Sequence, residues 1–393
     1  MKRYFVSGST GYMGSHLILE ILKAPGNEVY CVVRSKTDEK ARSKLLHVLE
    51  NELETQGVRD ISGTLDSIQN RLFVVKGDIV EENLGIDEAN IKGFPQFDEV
   101  LHLAASLKFA YEQKDEIMQL NYTGTKNMLD FTLNNGSKVF NYISTAYVSG
   151  TRGGRIPETE FDTAFGCNNM YEESKRSAES HAIAICREKG QKFRVLRPAV
   201  IIGHSRTFMS TSESGLYGLL RGLIDFYYAI NARQPGYFKE NTLKIHADPG
   251  MELNLIPIDF VARDCAAVLK ENSTIGKFHH ISTTSQTSIR KLFESIDRVL
   301  NLFTTEIVHD EKLLGPVDRL LQDQLVFFNS YFHNCKHFDR SNCIHLQGIV
   351  PAEEHTRIEG NMDGYIEKFL ERDNIRRILN YYNKRCMAQT NVE

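Results

Sequence analysis

The sequence predicts an α/β fold, a doubly wound parallel sheet followed by a smaller, mostly helical region. Two observations predict it. Over about the first half of the 393 residues, short β-rich runs alternate with amphipathic stretches, and each of these stretches is long enough for a right-handed crossover between parallel strands. After Gly203 this alternation stops. We therefore place one domain at residues 1–203 and a second, cap-like region at residues 204–393.

The predicted elements of the first domain follow from these runs. The strands are expected at residues 2–7, 28–34, 71–76, 99–103, 138–144 and 194–197, and the helices between them at residues 13–23, 37–54, 121–134 and 171–189.

Alternation resumes briefly in the second region. Residues 253–258 and 277–282 resemble strands, and each precedes a helical stretch. We expect the segment of about 253–285 to pack back onto the first domain. The apolar-aromatic run at residues 216–230 is compatible with a cavity-lining helix and with a core helix, and its periodicity favours the core helix.

Composition narrows the class of protein. The chain is 41% hydrophobic and 25% charged, as ordinary globular proteins are, and its net charge of -4 provides no basic surface for nucleic acid. No apolar run approaches the roughly 20 residues that cross a bilayer, and the first strand begins too early to leave room for a signal peptide. We expect a cytoplasmic protein without a transmembrane segment, and a homodimer as the commonest assembly.

The cysteines and histidines predict no metal site. The seven cysteines contain no Cys-x-x-Cys pair, and the thirteen histidines contain no His-Glu-x-x-His run. We expect reduced thiols.

A glycine-rich loop directly follows the first predicted strand and opens the first helix. Gly8, Gly11 and Gly14 lie where a backbone must turn sharply and approach a pyrophosphate closely. Thr10, Tyr12 and Met13 fill the same loop. This order of strand, turn and helix predicts a Rossmann-type dinucleotide site.

The end of the second strand indicates which dinucleotide binds. Arg34 and Ser35 occupy the position where a fold that prefers NAD commonly has an acidic residue for the ribose hydroxyls. A guanidinium can pair with a 2′-phosphate and stack on adenine, which favours NADPH. The alternative, an exposed surface arginine, is less favoured because the strand end faces the expected crevice.

Two further strand ends fit the same site. Asp78 and Ile79 follow the third strand, where Asp78 could accept a hydrogen bond from the adenine amino group. Leu103, Ala104 and Ala105 follow the fourth strand, where small side chains let the adenosine lie close.

A tyrosine and a lysine supply the expected chemistry. Tyr171 and Lys175 are four residues apart on one helical face, so a lysine ammonium could lower the pKa of the phenol and promote proton exchange with a carbonyl oxygen. Thr145 ends the preceding strand and is our choice for the hydroxyl that holds the substrate oxygen. Its neighbour Ser144 is the alternative, or a cap of the strand end.

Together these motifs resemble the extended short-chain dehydrogenase/reductase superfamily. The similarity covers the glycine loop, Asp78, the His102-Leu103-Ala104-Ala105 run, Ser144-Thr145, Tyr171 with Lys175, and Arg197-Pro198 with Gly203, in the order and spacing of that superfamily. The resemblance implies that Thr145, Tyr171 and Lys175 form a catalytic triad. It also implies that Pro198 and Val200 border the nicotinamide, and that the region after residue 203 binds substrate.

Within the superfamily the chain looks most like the thioester-reductase and fatty acyl-CoA reductase branch. That branch uses NADPH to reduce an acyl thioester, carried on acyl carrier protein or coenzyme A, to an aldehyde or alcohol. In such a reaction Thr145 and Tyr171 would stabilise the oxyanion.

Three other functions remain open. One is an NADP-dependent alcohol or ketone oxidoreductase, and another is a nucleotide-sugar or steroid-type member of the superfamily. Ala146 and Tyr147 stand where a sugar dehydratase generally has an Asp-Glu pair, which argues against that reaction. The third is a non-catalytic regulator that senses NADPH.

Overall fold

The structure, a computed structural model, describes residues 1–372 except the side chains of residues 327 and 329. The strands are β1 (Arg3–Ser7), β2 (Glu28–Val33), β3 (Leu72–Lys76), β4 (Glu99–His102), β5 (Val139–Ile143), β6 (Gly154–Ile156), β7 (Lys192–Pro198), β8 (Val200–Ile202), β9 (Leu243–His246), β10 (Glu252–Leu253), β11 (Leu255–Pro257), β12 (Phe278–Ile281), β13 (Thr287–Ser288), β14 (Thr305–Val308) and β15 (Lys336–Phe338).

Helices connect most of these strands. They are α1 (Tyr12–Leu22), α2 (Asp38–Thr55), α3 (Ile61–Ile68), α4 (Glu88–Gly93), α5 (Lys114–Met118), α6 (Gly124–Asn135), α7 (Met170–Lys189), α8 (Leu216–Arg233), α9 (Tyr237–Glu240), α10 (Ile258–Lys270), α11 (Ile289–Leu300), α12 (Pro316–Gln324), α13 (Val326–Asn329), α14 (Ala352–His355) and α15 (Met362–Arg372). A π-helical turn, Gln119–Thr123, joins α5 to α6.

A seven-stranded sheet with the order β12-β7-β5-β4-β1-β2-β3 forms the centre of the first unit, and its neighbouring strands are parallel. The strands are apolar without strict alternation, as expected where helices cover both faces. Strand order reverses between β1 and β4, which is where doubly wound sheets open a crevice for ligands. The predicted α/β Rossmann-type fold is confirmed.

The chain divides into two compact units. The first contains Met1–Ala199, Pro257–Ser282 and His337–Pro351. The second contains Val200–Ile256, Thr283–Lys336 and, of the described residues, Ala352–Arg372. The sequence analysis did not foresee that His337–Pro351 belongs with the sheet. In that segment the amide of Asp339 donates to the carbonyl of Ile156 on β6 at 2.9 Å.

The second unit contains α8, α11, α12 and α15 together with short strand pairs. In it β9 pairs with β14 and β10 with β13. The predicted helix at residues 216–230 is formed as α8, and the inward-facing positions of this helix are buried, as a core helix requires.

Aromatic rings fill part of the core on one face of the sheet. Phe5 on β1 is fully buried, and its ring centroid lies 4.4 Å from that of Phe131 and 5.1 Å from that of Phe97. Such pairs stabilise a core beyond the apolar area that they bury. They place β1, and therefore the loop that follows it, on a rigid base.

Arg197 on β7 and Glu179 on α7 form a buried ion pair. The arginine Nε and Nη2 atoms donate to the two carboxylate oxygens at 3.2 and 2.5 Å, and the two side chains are 2% and 0% exposed. We expect Arg197→Met to lower the free energy of unfolding by about 3–5 kcal/mol, because it leaves Glu179 buried without its partner. Urea unfolding followed by circular dichroism measures this.

The matched control is Arg3→Met. Arg3 pairs with Glu28 at 3.0 Å, but its side chain is 41% exposed, so we expect a loss of about 0–1 kcal/mol. Equal losses in the two variants would contradict the prediction.

Candidate active site

The glycine loop lies at the carboxyl end of β1, beside the end of β4. Gly8 has a φ of 75°, and a Cβ atom there would lie 2.5 Å from the amide nitrogen of Ala104. A Cβ atom on Gly14 would overlap the carbonyl oxygen of Gly8. Backbone therefore packs on backbone at both positions, next to the start of α1, where the first amides of a helix lack intrahelical partners. Because the two glycines have no side chain to fill the loop, its backbone can approach a dinucleotide pyrophosphate closely.

The remaining loop residues match this arrangement. The amide of Gly11 donates to the carbonyl of Gly8 at 3.0 Å, and Gly11 precedes α1 as its N-cap. Thr10, Tyr12 and Met13 are each partly exposed around it. The first turn of α1 contains no acidic side chain that would repel a phosphate at the loop.

Arg34 directly follows the last residue of β2. Its side chain is exposed, and within residues 1–372 it forms no ion pair. Ser35 next to it is partly buried. An unpaired guanidinium at a strand end remains available to an anionic ligand.

Asp78 and Ile79 form a tight turn after β3. The amide of Asp78 donates to the carbonyl of Leu84 at 2.7 Å, and its carboxylate accepts the amide of Val80 at 3.2 Å. Asn127 on α6 donates to the carbonyl of Ile79 at 2.9 Å. These contacts hold the turn in place. Leu103, Ala104 and Ala105 after β4 are all partly exposed.

Thr145 and Tyr171 meet at the end of β5. Thr145 N-caps a short 3-10 turn and accepts the amide of Tyr147 at 3.3 Å. Its hydroxyl lies close enough to that of Tyr171, in the first turn of α7, to affect the pKa of the phenol. Phe109 packs its ring edge-on against Tyr171, with 5.9 Å between centroids. The hydroxyls of Thr145 and Tyr171 thus lie together at the carboxyl edge of the sheet.

Lys175 is on the next turn of α7, but its amine is held by other groups. Nζ donates to the carbonyl of Ile143 at 2.6 Å and lies 4.3 Å from the ring centroid of Tyr142. The side chain is almost fully buried. Burial lowers the pKa of Lys175 to about 7, and the carboxylate of Glu179 opposes that shift.

The expected effect of Lys175 on Tyr171 is wrong for this structure. Burial raises the pKa of Tyr171 well above its usual value, and the hydroxyl of Thr145 offsets only part of the increase. The charge that acts on the phenol is the carboxylate of Glu172, which also raises the pKa. The amine is directed towards the end of β5, so Tyr171 stays a protonated hydrogen-bond donor.

Ser144 differs from its neighbour. Its hydroxyl oxygen is buried and has no hydrogen-bond partner among the described residues, whereas its amide donates to the carbonyl of Leu196 at 2.7 Å. The alternative role as a strand cap is therefore not seen.

The two residues expected beside the nicotinamide fall in different units. Pro198 is buried in β7 of the first unit, opposite Ile281 of β12. Val200 opens β8 of the second unit, where its amide donates to the carbonyl of Asn254 at 3.2 Å.

Asn121 is a site residue that the sequence analysis missed. It is buried in the π-helical turn, and its amide oxygen accepts the backbone amide of Ser106 at 2.6 Å. Its amide nitrogen donates to Ser174 on α7 at 2.8 Å. A π turn interrupts the normal helical period, so periodicity gave no signal, although such turns are frequent at functional sites.

Two further features are the state of the cysteines and the hydropathy of the helices over the described residues. The six cysteines that the structure describes are free, and Cys386 lies outside the described residues. No helix within residues 1–372 is long and apolar enough to cross a bilayer.

The titration of Lys175 predicts how stability depends on pH. Between about pH 7 and the ordinary lysine pKa of about 10.4, the folded state has released this proton and the unfolded state retains it, so the free energy of unfolding rises with pH. Below about pH 7 both states are protonated and the cost of burying the charge is fully present. Urea titrations from pH 6 to 10 measure the difference between wild type and Lys175→Met. We expect wild type to gain stability relative to the variant as pH rises, and a constant difference would contradict the prediction.

A family model described as male sterility protein matches residues 6–265, most of the chain. The chain belongs to this male sterility protein family. The predicted resemblance to extended short-chain reductases and to the thioester-reductase branch is confirmed, and the family model is one of nicotinamide-dinucleotide binding.

Two curated relatives carry related names. A non-canonical nonribosomal peptide synthetase of Aspergillus campestris is 25% identical over 333 residues, 80% of this chain and 29% of the synthetase. An alcohol-forming fatty acyl-CoA reductase of Simmondsia chinensis is 32% identical over 167 residues, 41% of this chain and 34% of that enzyme. The chain therefore spans about a third of the length of these family relatives.

A solved structure has the same fold. The terminal R domain from the myxalamid PKS-NRPS biosynthetic pathway superposes with a TM-score of 0.74 at 20% identity, covering 95% of this chain and 91% of that one. At this identity the likeness concerns the fold alone.

Proposed function

We propose that the protein is an NADPH-dependent reductase of acyl thioesters carried on acyl carrier protein or coenzyme A. The observation that carries the proposal is the pair of neighbouring hydroxyls of Thr145 and Tyr171 at the sheet edge that also bears the glycine loop. Relatives described as a peptide synthetase and as a fatty acyl-CoA reductase support this substrate class.

When bound, NADPH supplies the hydride that reduces the thioester carbonyl. Thr145 and Tyr171 hold the carbonyl oxygen with their hydroxyls and stabilise the negative charge that develops on it. Tyr171 can act as a donor over the whole physiological range, because its raised pKa keeps it protonated. Lys175, with a pKa of about 7, can hold the nicotinamide ribose through its amine. Loss of the thiol leaves an aldehyde, and a second hydride would give the alcohol.

NADPH oxidation with three substrates tests the proposal. An acyl-CoA, an acyl-pantetheine and a plain ketone are compared, and the free thiol released is titrated in parallel. We expect oxidation with the thioesters, at one thiol released per acyl group reduced. Oxidation with the ketone alone would support the rival alcohol or ketone oxidoreductase, and tight NADPH binding without any turnover would support a regulator.

The coenzyme preference depends on Arg34. We expect Arg34→Leu to weaken NADPH binding by roughly 10- to 100-fold, since a charge-assisted hydrogen bond contributes about 1.5–3 kcal/mol, while NADH binding changes little. Fluorescence titration of each coenzyme measures this. Arg59→Leu, at another exposed arginine of the first unit, is the control. An equal loss of NADPH and NADH affinity in Arg34→Leu would contradict the role of this residue.

A further inference from the structure

His102 ends β4 and lies between the glycine loop and the helix that carries Lys175. It is 1% exposed, and both of its ring nitrogens have partners. Nδ1 lies 2.7 Å from the hydroxyl of Ser7, the residue directly before Gly8. Nε2 lies 3.0 Å from the hydroxyl of Thr125 on α6.

The direction of these hydrogen bonds follows from Thr125. Its hydroxyl donates to the carbonyl of Asn121 at 2.6 Å, so the same oxygen is free to accept from Nε2 of His102. Nδ1 then carries no proton and accepts the hydroxyl of Ser7. Burial lowers the pKa of His102 to about 3, and the charge of Lys175 adds to that effect, so the ring stays neutral.

Two connections continue from Thr125 to α7. The hydroxyl of Tyr142 lies near that of Thr125 and donates to the backbone carbonyl of Lys175 at 3.5 Å, and the ring of Tyr142 lies under the amine of Lys175 at 4.3 Å. Asn121, which accepts the hydroxyl of Thr125, donates to Ser174 beside Lys175. Each member of this network is buried, so little water competes with its hydrogen bonds.

We propose that His102 is a positioning residue that couples the glycine loop to Lys175 through Ser7 on one side and Thr125 on the other. It sets the pyrophosphate end and the nicotinamide end of the coenzyme site relative to each other without touching the coenzyme. The proposal rests on the proposed function for the identity of that coenzyme.

Two threonines of α6 give a matched test. Thr125 and Thr132 are both fully buried, and each donates its hydroxyl to the carbonyl four residues earlier. Only Thr125 contacts His102. Thr125→Val and Thr132→Val therefore each remove one buried hydroxyl from α6. The first hydroxyl belongs to the network of His102 and the second does not.

We expect Thr125→Val to weaken NADPH binding and to lower kcat at saturating coenzyme, each by roughly tenfold, the effect of about 1.4 kcal/mol. Thr132→Val should change both by less than about twofold. His102→Phe keeps a ring but loses both hydrogen bonds, so it should match or exceed Thr125→Val. His102→Asn should be milder, because its amide oxygen can still accept the hydroxyl of Ser7.

A ligand-free measurement separates this proposal from the proposed function. Loss of the Thr125 hydroxyl loosens the Tyr142 ring under the ammonium, so the pKa of Lys175, read from the pH dependence of urea unfolding, should fall in Thr125→Val and stay constant in Thr132→Val. If wild type binds no nicotinamide coenzyme, the proposed function fails. The comparison of the Lys175 pKa between the two valine variants still tests the positioning role of His102. Equal coenzyme affinity and equal Lys175 titration in the two valine variants would overturn the proposal.

Discussion

Tyr171→Phe should reduce kcat for thioester reduction by roughly 10²- to 10⁴-fold, the range that a positioned proton donor contributes. The variant keeps the ring and its contact with Phe109, and it removes only the hydroxyl that lies near that of Thr145. NADPH affinity should change little, because the lost group is expected to contact the substrate oxygen. Steady-state NADPH oxidation with an acyl-pantetheine measures kcat, and fluorescence titration measures affinity.

Tyr30→Phe is the matched control for this prediction. The Tyr30 ring lies on β2 and stacks on Phe73 with 4.4 Å between centroids. The same loss of a hydroxyl there should leave kcat within about twofold. A Tyr171→Phe enzyme that retains more than about a third of wild-type kcat would remove Tyr171 from the chemistry.

Gly8→Ala should abolish measurable NADPH binding, a loss of roughly 100-fold or more. The φ of 75° is costly for alanine, at about 1–3 kcal/mol, and a Cβ atom 2.5 Å from the Ala104 amide forces the loop or the end of β4 to move. Overpacking of this kind adds about 1–3 kcal/mol. Fluorescence titration with NADPH measures affinity, and urea unfolding shows how much of the loss is general destabilisation.

Gly93→Ala serves as the comparison. A Cβ atom there would meet nothing within 4 Å, so binding and stability should stay close to wild type. Wild-type NADPH affinity in Gly8→Ala would show that the loop is not the pyrophosphate site.

Much of the fold was predictable because it depends on local pattern. The strand preceding Gly8, the helix that begins at Tyr12 and the later strand-helix pairs all appear within a few residues of their expected bounds. Apolar runs of strand length and amphipathic runs of helix length indicate which side chains are buried, because buried positions repeat with the period of the strand or helix.

The return of His337–Pro351 to the first unit was not predictable in this way. Its docking depends on single long-range contacts, such as the amide of Asn342 donating to Glu158 at 2.6 Å. Burial raises the pKa of Glu158 to about 7, an effect that no local pattern encodes. The network of His102 also depends on long-range contacts, since its members come from five separate stretches of the chain.

The sequence by itself determined the succession of strands and helices in the first domain, the glycine loop, and the presence of Thr145, Tyr171 and Lys175 near the carboxyl edge of the sheet, because spacing along strands and helices sets these positions. Only the tertiary structure decided how the groups interact. It directed the amine of Lys175 to Ile143 and left Tyr171 with a raised pKa. Protonation depends on burial and on partners distant in sequence, and these exist only once the chain has folded.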